Sequence, residues 1–191
     1  MKEDDIPKFK KAAGKITKPE RKIIYADENP KGVGYIGTYH AFNINNALRG
    51  QEEMTSTYQK IVNTLDRVID KNKSIQNIKV SRFDGSDYFK SIIQQNADLL
   101  KGYDNIEDMF NSGKATFRND GYTSTSYIPK YNFFKNRPVK TIINISKNSD
   151  IYFTDNDGES EIIIPRGAKY DIISVKQKDS RIVLEMNLKG E

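Results

Sequence analysis

The sequence predicts an α+β fold, on three observations. Apolar residues recur at helical spacing through the first hundred positions, short β-rich runs separated by turn residues fill the chain from Lys114 onward, and the two kinds of element do not alternate as βαβ units would. In YHAFNINNALRG (Tyr39 to Gly50), Phe42, Ile44, Ala47 and Leu48 sit among polar residues and Gly50 marks a helix stop. TYQKIVNTLDRVIDKN (Thr57 to Asn72) places Tyr58, Ile61, Val62, Leu65, Val68 and Ile69 on one stripe, an amphipathic helix. IKVSRF (Ile78 to Phe83) is an early strand between helices. SDYFKSIIQQNADLLKG (Ser86 to Gly102) predicts a helix closed by Gly102, with a short one at Ile106 to Asn111. KATFRN, VKTIINIS, IYFT, EIIIP, YDIISVKQ and RIVLEMNL then read as strands, with turns at NDG (Asn119 to Gly121 and Asn156 to Gly158) and KDS (Lys178 to Ser180). No repeat or low-complexity tract interrupts them.

The 191 residues are enough for one domain with a core that needs no staples. The chain has no Cys and one His, which removes disulfide frameworks, cysteine-ligated zinc, iron–sulfur clusters, thiol catalysis and any multi-histidine metal centre. No metal is expected. No apolar stretch approaches the roughly 18 residues of a membrane span, and MKEDDIPKFKK has charges where a secretory signal would place its apolar region. Export is therefore expected by another route or as a mature fragment. The net charge of +5 is concentrated at the front: residues 1–22 carry eight Lys/Arg and four acids, a net of +4. That distribution suits a solvated basic arm or first helix, set apart here as residues 1–34, more than a folded nucleic-acid surface. No GxGxxG follows a strand, which argues against a Rossmann cofactor site.

Four stretches combine polar residues with strands or helix ends. In GESEIIIPRG, Glu159 and Glu161 stand two apart at the mouth of an apolar strand, where extended backbone points both carboxylates to one side. Such a pair is either two solvated loop acids or a place prepared for a cation. In GYTSTSY, the hydroxyls of Ser124, Thr125 and Ser126 can donate to a neighbouring carboxylate. Arg82 is a lone guanidinium in an otherwise apolar strand, to be met by a phosphate or by an acid. In NNALRG, Asn45 and Arg49 share a helical face at i and i+4.

Taken in order, Asn-x-x-Leu-Arg on a helix, Arg on a strand, Ser-Thr-Ser on a strand and Glu-x-Glu opening an apolar strand resemble the catalytic domain of bacterial mono-ADP-ribosyltransferase toxins of the Arg-Ser-Glu class. That class includes binary actin-modifying toxins, vegetative insecticidal enzymes and Rho-modifying exoenzymes. The likeness runs from about Tyr35 to Leu188, and EIIIPRGAKYDI is similar to the strand and turn after the catalytic Glu in that family. The resemblance implies an α+β catalytic domain over residues 35–191, with two packed, mostly antiparallel sheets and NAD held as substrate in a cleft between them. It implies that Arg82 grips NAD phosphate, that Asn45 and Arg49 help hold the cofactor, and that Ser124 positions Glu161. Thr125 and Ser126 would line the site, Glu161 would bind the nicotinamide ribose hydroxyl, and Glu159 would engage the acceptor. The aromatic-rich YIPKYNFFKNR matches the stretch that members fold over the cofactor, so Tyr131, Phe133 or Phe134 would stack on nicotinamide and Arg137 would touch a phosphate.

A guanidinium acceptor calls for a carboxylate at the first motif position, whereas a side-chain amide is better met by Gln. Glu159 therefore points to transfer onto an arginine of a host protein, actin among the possible targets. The loop TDNDG departs from many members by carrying Asn156 where they have a target-reading aromatic. The alternatives are modification of a Gln or Asn on a small GTPase, or a non-catalytic domain that binds protein or nucleic acid. The resemblance also implies secretion or delivery into a target-cell cytosol, alone, with a translocation partner, or as part of a larger toxin.

Overall fold

The computed structural model describes residues 6–12, 16–128, 134–154 and 160–190. Two short helices lead, α1 (Ile6–Ala12) and α2 (Lys18–Ile24), followed by α3 (His40–Leu48) and α4 (Ser56–Asp70). Strand β1 (Ile78–Asp84) precedes α5 (Ser86–Gln95), α6 (Ala97–Leu100) and α7 (Ile106–Asn111). Then come β2 (Thr116–Asn119), β3 (Thr123–Ser126), β4 (Val139–Ile145), β5 (Tyr152–Phe153), β6 (Glu161–Ile164), β7 (Ala168–Lys178) and β8 (Arg181–Leu188). The α+β class expected from the sequence is the class observed.

The sheet order is β2-β7-β8-β4-β1-β3-β6-β5, antiparallel at every pairing except the parallel β4–β8. Strands β1 and β3 meet at a single pair, Ser81 with Ser126, while β1 and β4 pair along seven residues. The sheet thus has a five-stranded and a three-stranded part, hinged at one residue pair. One core fills the space between them: Val80, Ile143, Ile162, Ile164 and Met186 pack with Ile92, Met109 and Phe110 from the helices. A second lies on the other side, where the apolar stripe of α4 (Ile61, Val62, Leu65, Val68, Ile69) meets Ile24, Tyr35, Ile44, Tyr122 and Ile163. Strand β6 serves both cores, because alternate side chains leave opposite faces.

Two local expectations are corrected. The single helix expected over Ser86 to Gly102 breaks at Asn96, whose buried side-chain amide donates to the Ile92 and Thr116 carbonyls and accepts from the Thr116 amide. An Asn that bonds β2 this way competes with the helical ladder. The leading segment takes the helical alternative rather than the arm, and its helices are not fully solvated. Phe9 is buried against the Phe153 ring at 5.9 Å, and the Tyr25 and Tyr152 hydroxyls lie 2.8 Å apart. Thr17 and Glu20 form a reciprocal cap on α2, and Glu20 accepts from Lys71, the C-terminal cap of α4, at 2.6 Å. The positive residues alternate with apolar anchors, so a count of charge alone hides the helices' buried side.

Candidate active site

The inner ends of β1, β3 and β6 open on a cleft of about 1020 Å³, roofed on one side by α3 and on the other by α5. That is just above the upper end of the range of about 300–1,000 Å³ for small-molecule sites. Glu161, first residue of β6, is 6% exposed and lines it. Ser124 on β3 donates to its Oε1 at 2.5 Å, and Thr154 donates to its Oε2 at 3.3 Å. The register explains the first bond: Ser126 stands opposite Glu161 and Ser124 opposite Ile163, so the Ser124 hydroxyl reaches its diagonal neighbour. Ser160, just before, holds the left-handed conformation at φ 50° while buried, and its carbonyl accepts from the Tyr127 amide at 3.1 Å. Such a backbone costs about 1–3 kcal/mol in a non-glycine residue and persists only where neighbours enforce it.

Arg82 lies on the adjacent strand. Its Nε and Nη2 donate to Asp84 at 2.8 and 2.5 Å, its Nη1 reaches the Ser124 carbonyl at 3.4 Å, and the guanidinium lies 5.1 Å from the Tyr88 ring centre. Burial alone would make that cation easier to deprotonate. The Asp84 carboxylate reverses the effect and holds its pKa above the ordinary arginine value. Arg49 has no such partner: among the described residues it forms no ion pair, and its Nη2 donates only to the Asn119 side chain at 3.2 Å. Burial, and next the Arg82 charge, lower its pKa. Two cations drawn together in a half-buried cleft, one of them unmatched, favour an anionic ligand between them.

Helix α3 is seated by Asn45, which donates to the Tyr35 hydroxyl at 3.0 Å and accepts from the Tyr122 amide at 2.8 Å. The seat requires Gly121, since a Cβ there would lie 2.7 Å from Asn45 Oδ1 and 3.0 Å from Arg49 Nη2. Tyr122 in turn donates to Asp66 of α4 at 2.5 Å, and Arg166 grips that carboxylate through Nε and Nη2. Burial, reinforced by Asp66, raises the Tyr122 pKa. Burial likewise pushes Tyr170, behind β3, up to about 12, so its hydroxyl stays protonated. The start of β3 is therefore tied to α3 and α4 before it delivers Ser124.

Of the residues singled out in the sequence, Asn45, Arg49, Arg82, Ser124, Phe134, Arg137 and Glu161 line this one cleft. Phe134 is half exposed at its rim, with the Arg137 guanidinium 4.0 Å from its ring centre. Thr125 and Ser126 do not line it and are corrected. Their hydroxyls are buried and donate to the Ile162 and Ile128 carbonyls, since Thr125 faces the other side of β3 and Ser126 turns back on its own chain. Glu159, Tyr131, Phe133 and Asn156 lie outside the described residues. Asp84, Tyr35, Tyr88 and Thr154 were missed. Only Asp84 had a readable signal, an acid two positions from Arg82 on the same strand face.

Chemically, a carboxylate held by hydroxyls and facing a pair of guanidiniums suits a substrate with a diphosphate and a centre that becomes positive in reaction. Among the described residues no group of three or more His, Asp or Glu could hold a metal ion, and no helix is long and apolar enough to cross a membrane.

Comparison with known proteins agrees on the family. Over an alignment 148 positions long that covers 68% of this chain, the sequence is 28% identical to the epidermal cell differentiation inhibitor of Staphylococcus aureus, and the match spans 59% of that protein's length. In fold, the chain is similar to Plx2a, an ADP-ribosyltransferase toxin from Paenibacillus larvae (TM-score 0.74, 23% identity, 98% of this chain and 96% of that one). It is also similar to C3stau2 of S. aureus solved with NAD (TM-score 0.70, 21% identity, 97% and 92%). Residues 7–190, nearly the whole chain, match the family model of the ADP-ribosyltransferase exoenzymes, and the protein belongs to that family.

Proposed function

We propose that the chain breaks the bond between nicotinamide and ribose in NAD and transfers the ADP-ribose to an arginine side chain of a host protein, after secretion or delivery into the target cell. The observation that carries this reading is the Ser124–Glu161 hydrogen bond, formed on the wall of the cleft that also receives Arg82 and Arg49. In it, the two guanidiniums hold the diphosphate. The C1′–N bond breaks with its electron pair leaving on nicotinamide, and the ribose becomes an oxocarbenium ion of the kind met in glycoside cleavage. Glu161 attracts that cation more than it attracts neutral ribose, which is the differential binding catalysis requires. An acceptor nitrogen then forms the new bond to C1′ and gives up its proton, which Glu159 is suited to draw off from a guanidinium. Where water takes the acceptor's place, the same step hydrolyses NAD.

A second reading, transfer to an asparagine of a Rho-type GTPase, is favoured by the likeness to exoenzymes of the C3 type. The two separate in one assay, incubation with labelled NAD and either agmatine, which carries a guanidinium, or purified RhoA. The arginine reading expects agmatine to be labelled and Glu159→Gln to lose that labelling while keeping slow NAD hydrolysis. Labelling of RhoA on an asparagine, with agmatine untouched, replaces it by the second reading.

A further inference from the structure

We propose that Thr154 is a second positioning residue for Glu161, fixing the carboxylate oxygen that Ser124 does not reach. The inference rests on the catalytic reading of Glu161 given above. Ser124 secures Oε1, but a carboxylate pinned at one oxygen still turns about its last torsion, which is broad and has no staggered wells. Thr154 closes that freedom from the opposite strand. It follows β5 directly, and its amide donates to the Glu161 carbonyl at 3.1 Å, extending the ladder in which Tyr152 faces Ile163 and Phe153 faces Ile162. Its hydroxyl donates to Oε2 at 3.3 Å, with the Glu161 carbonyl a weaker acceptor at 3.5 Å. Being β-branched, the side chain has few rotamers to leave that position for.

Thr154 is 1% exposed and does not line the cleft, so it cannot contact a bound dinucleotide. Its effect must pass through Glu161 and therefore fall on the chemical step rather than on binding. A carboxylate free to rotate spends part of its time with neither oxygen aimed at the ribose, and small misplacements of a catalytic group are costly.

The test is NAD hydrolysis by the full chain carrying Thr154→Val or Thr154→Ser, with Glu161→Gln as reference. Thr154→Val should lower kcat by about tenfold with KM for NAD within twofold of wild type, because a misaimed carboxylate slows chemistry alone. Thr154→Ser keeps the hydroxyl and should retain most of the wild-type kcat, although it removes the methyl that valine keeps. Where thermal melting shows that Thr154→Val does not fold, Thr154→Ala compared with Thr154→Ser makes the same comparison of hydroxyl lost against hydroxyl kept. A hydroxyl-free variant with wild-type kcat overturns the inference, as does a serine variant that falls as far as valine or alanine. If wild type hydrolyses NAD and Glu161→Gln does not, such a result leaves the proposed function standing. If wild type hydrolyses no NAD, the function and this inference fall together.

Discussion

Replacing Glu161 by Gln isolates the charge from the shape of the side chain. The amide oxygen can still accept from Ser124, and the residue is almost fully enclosed, so the fold should tolerate the change. What disappears is the negative charge that the proposed function places beneath the ribose. At a contact of about 3.5 Å and an effective dielectric of about 20, a carboxylate attracts a unit positive charge by roughly 4–5 kcal/mol. The nicotinamide ring of bound NAD already carries a positive charge, so only part of that attraction is new in the transition state. Taking about half to three-quarters of it gives 2–4 kcal/mol, a loss of roughly 30- to 1000-fold in kcat. The assay is nicotinamide release, read with thermal melting, expected to stay near wild type, and with calorimetric binding of NAD, expected to weaken by the ground-state remainder of about 1–2 kcal/mol, roughly 5- to 30-fold. A variant retaining kcat within about fivefold would refute the idea that Glu161 stabilises the ribose cation.

Gly121→Ala meets no backbone penalty, since Gly121 is not among the positive-φ glycines, but its Cβ would overlap Asn45 and crowd Arg49. Because flexible side chains can yield, stability should drop by only about 1 kcal/mol while KM for NAD rises several-fold, and an unchanged KM would show that the seat of α3 does not govern binding. Deleting residues 1–22 removes Phe9 and Glu20, so melting should fall by several degrees, consistent with about 2–3 kcal/mol for one buried aromatic. KM for NAD should hold in the cold, as neither residue lines the cleft. Glu20, held by the Lys71 ammonium and next by the Thr17 backbone, has its pKa lowered from 4.5 to about 2. A depressed carboxyl stabilises the fold above its unfolded pKa and loses that contribution as pH falls through the folded one, so stability should decline between about pH 4.5 and pH 2. Lys71 is half exposed, which limits the effect to about 1 kcal/mol, and Glu20→Gln should flatten that part of the acid-unfolding curve.

Much of this was legible in the sequence because it is encoded locally. The stripe on α4 and the turns at Asn119 to Gly121 and Lys178 to Ser180 follow from spacing and backbone preference, and the helix Ile106–Asn111 and the strand Arg181–Leu188 fall at their predicted bounds. The order Arg82, Ser124, Glu161 carried the resemblance to the family the chain belongs to, and all three side chains line one cleft. The resemblance pointed to Ser124 as the hydroxyl that meets the carboxylate, but the physical reason lies in the tertiary structure. Ser124, Thr125 and Ser126 look alike in sequence, but register sends Ser124 to Glu161, Thr125 to a carbonyl across the pair and Ser126 to its own chain. The tertiary structure also decided that Arg82 is matched by Asp84 while Arg49 is not, and that Thr154 stands against Glu161. A segment's own residues set its period and its caps; its partners are set by how strands align and which faces pack, and those depend on contacts far apart in the chain.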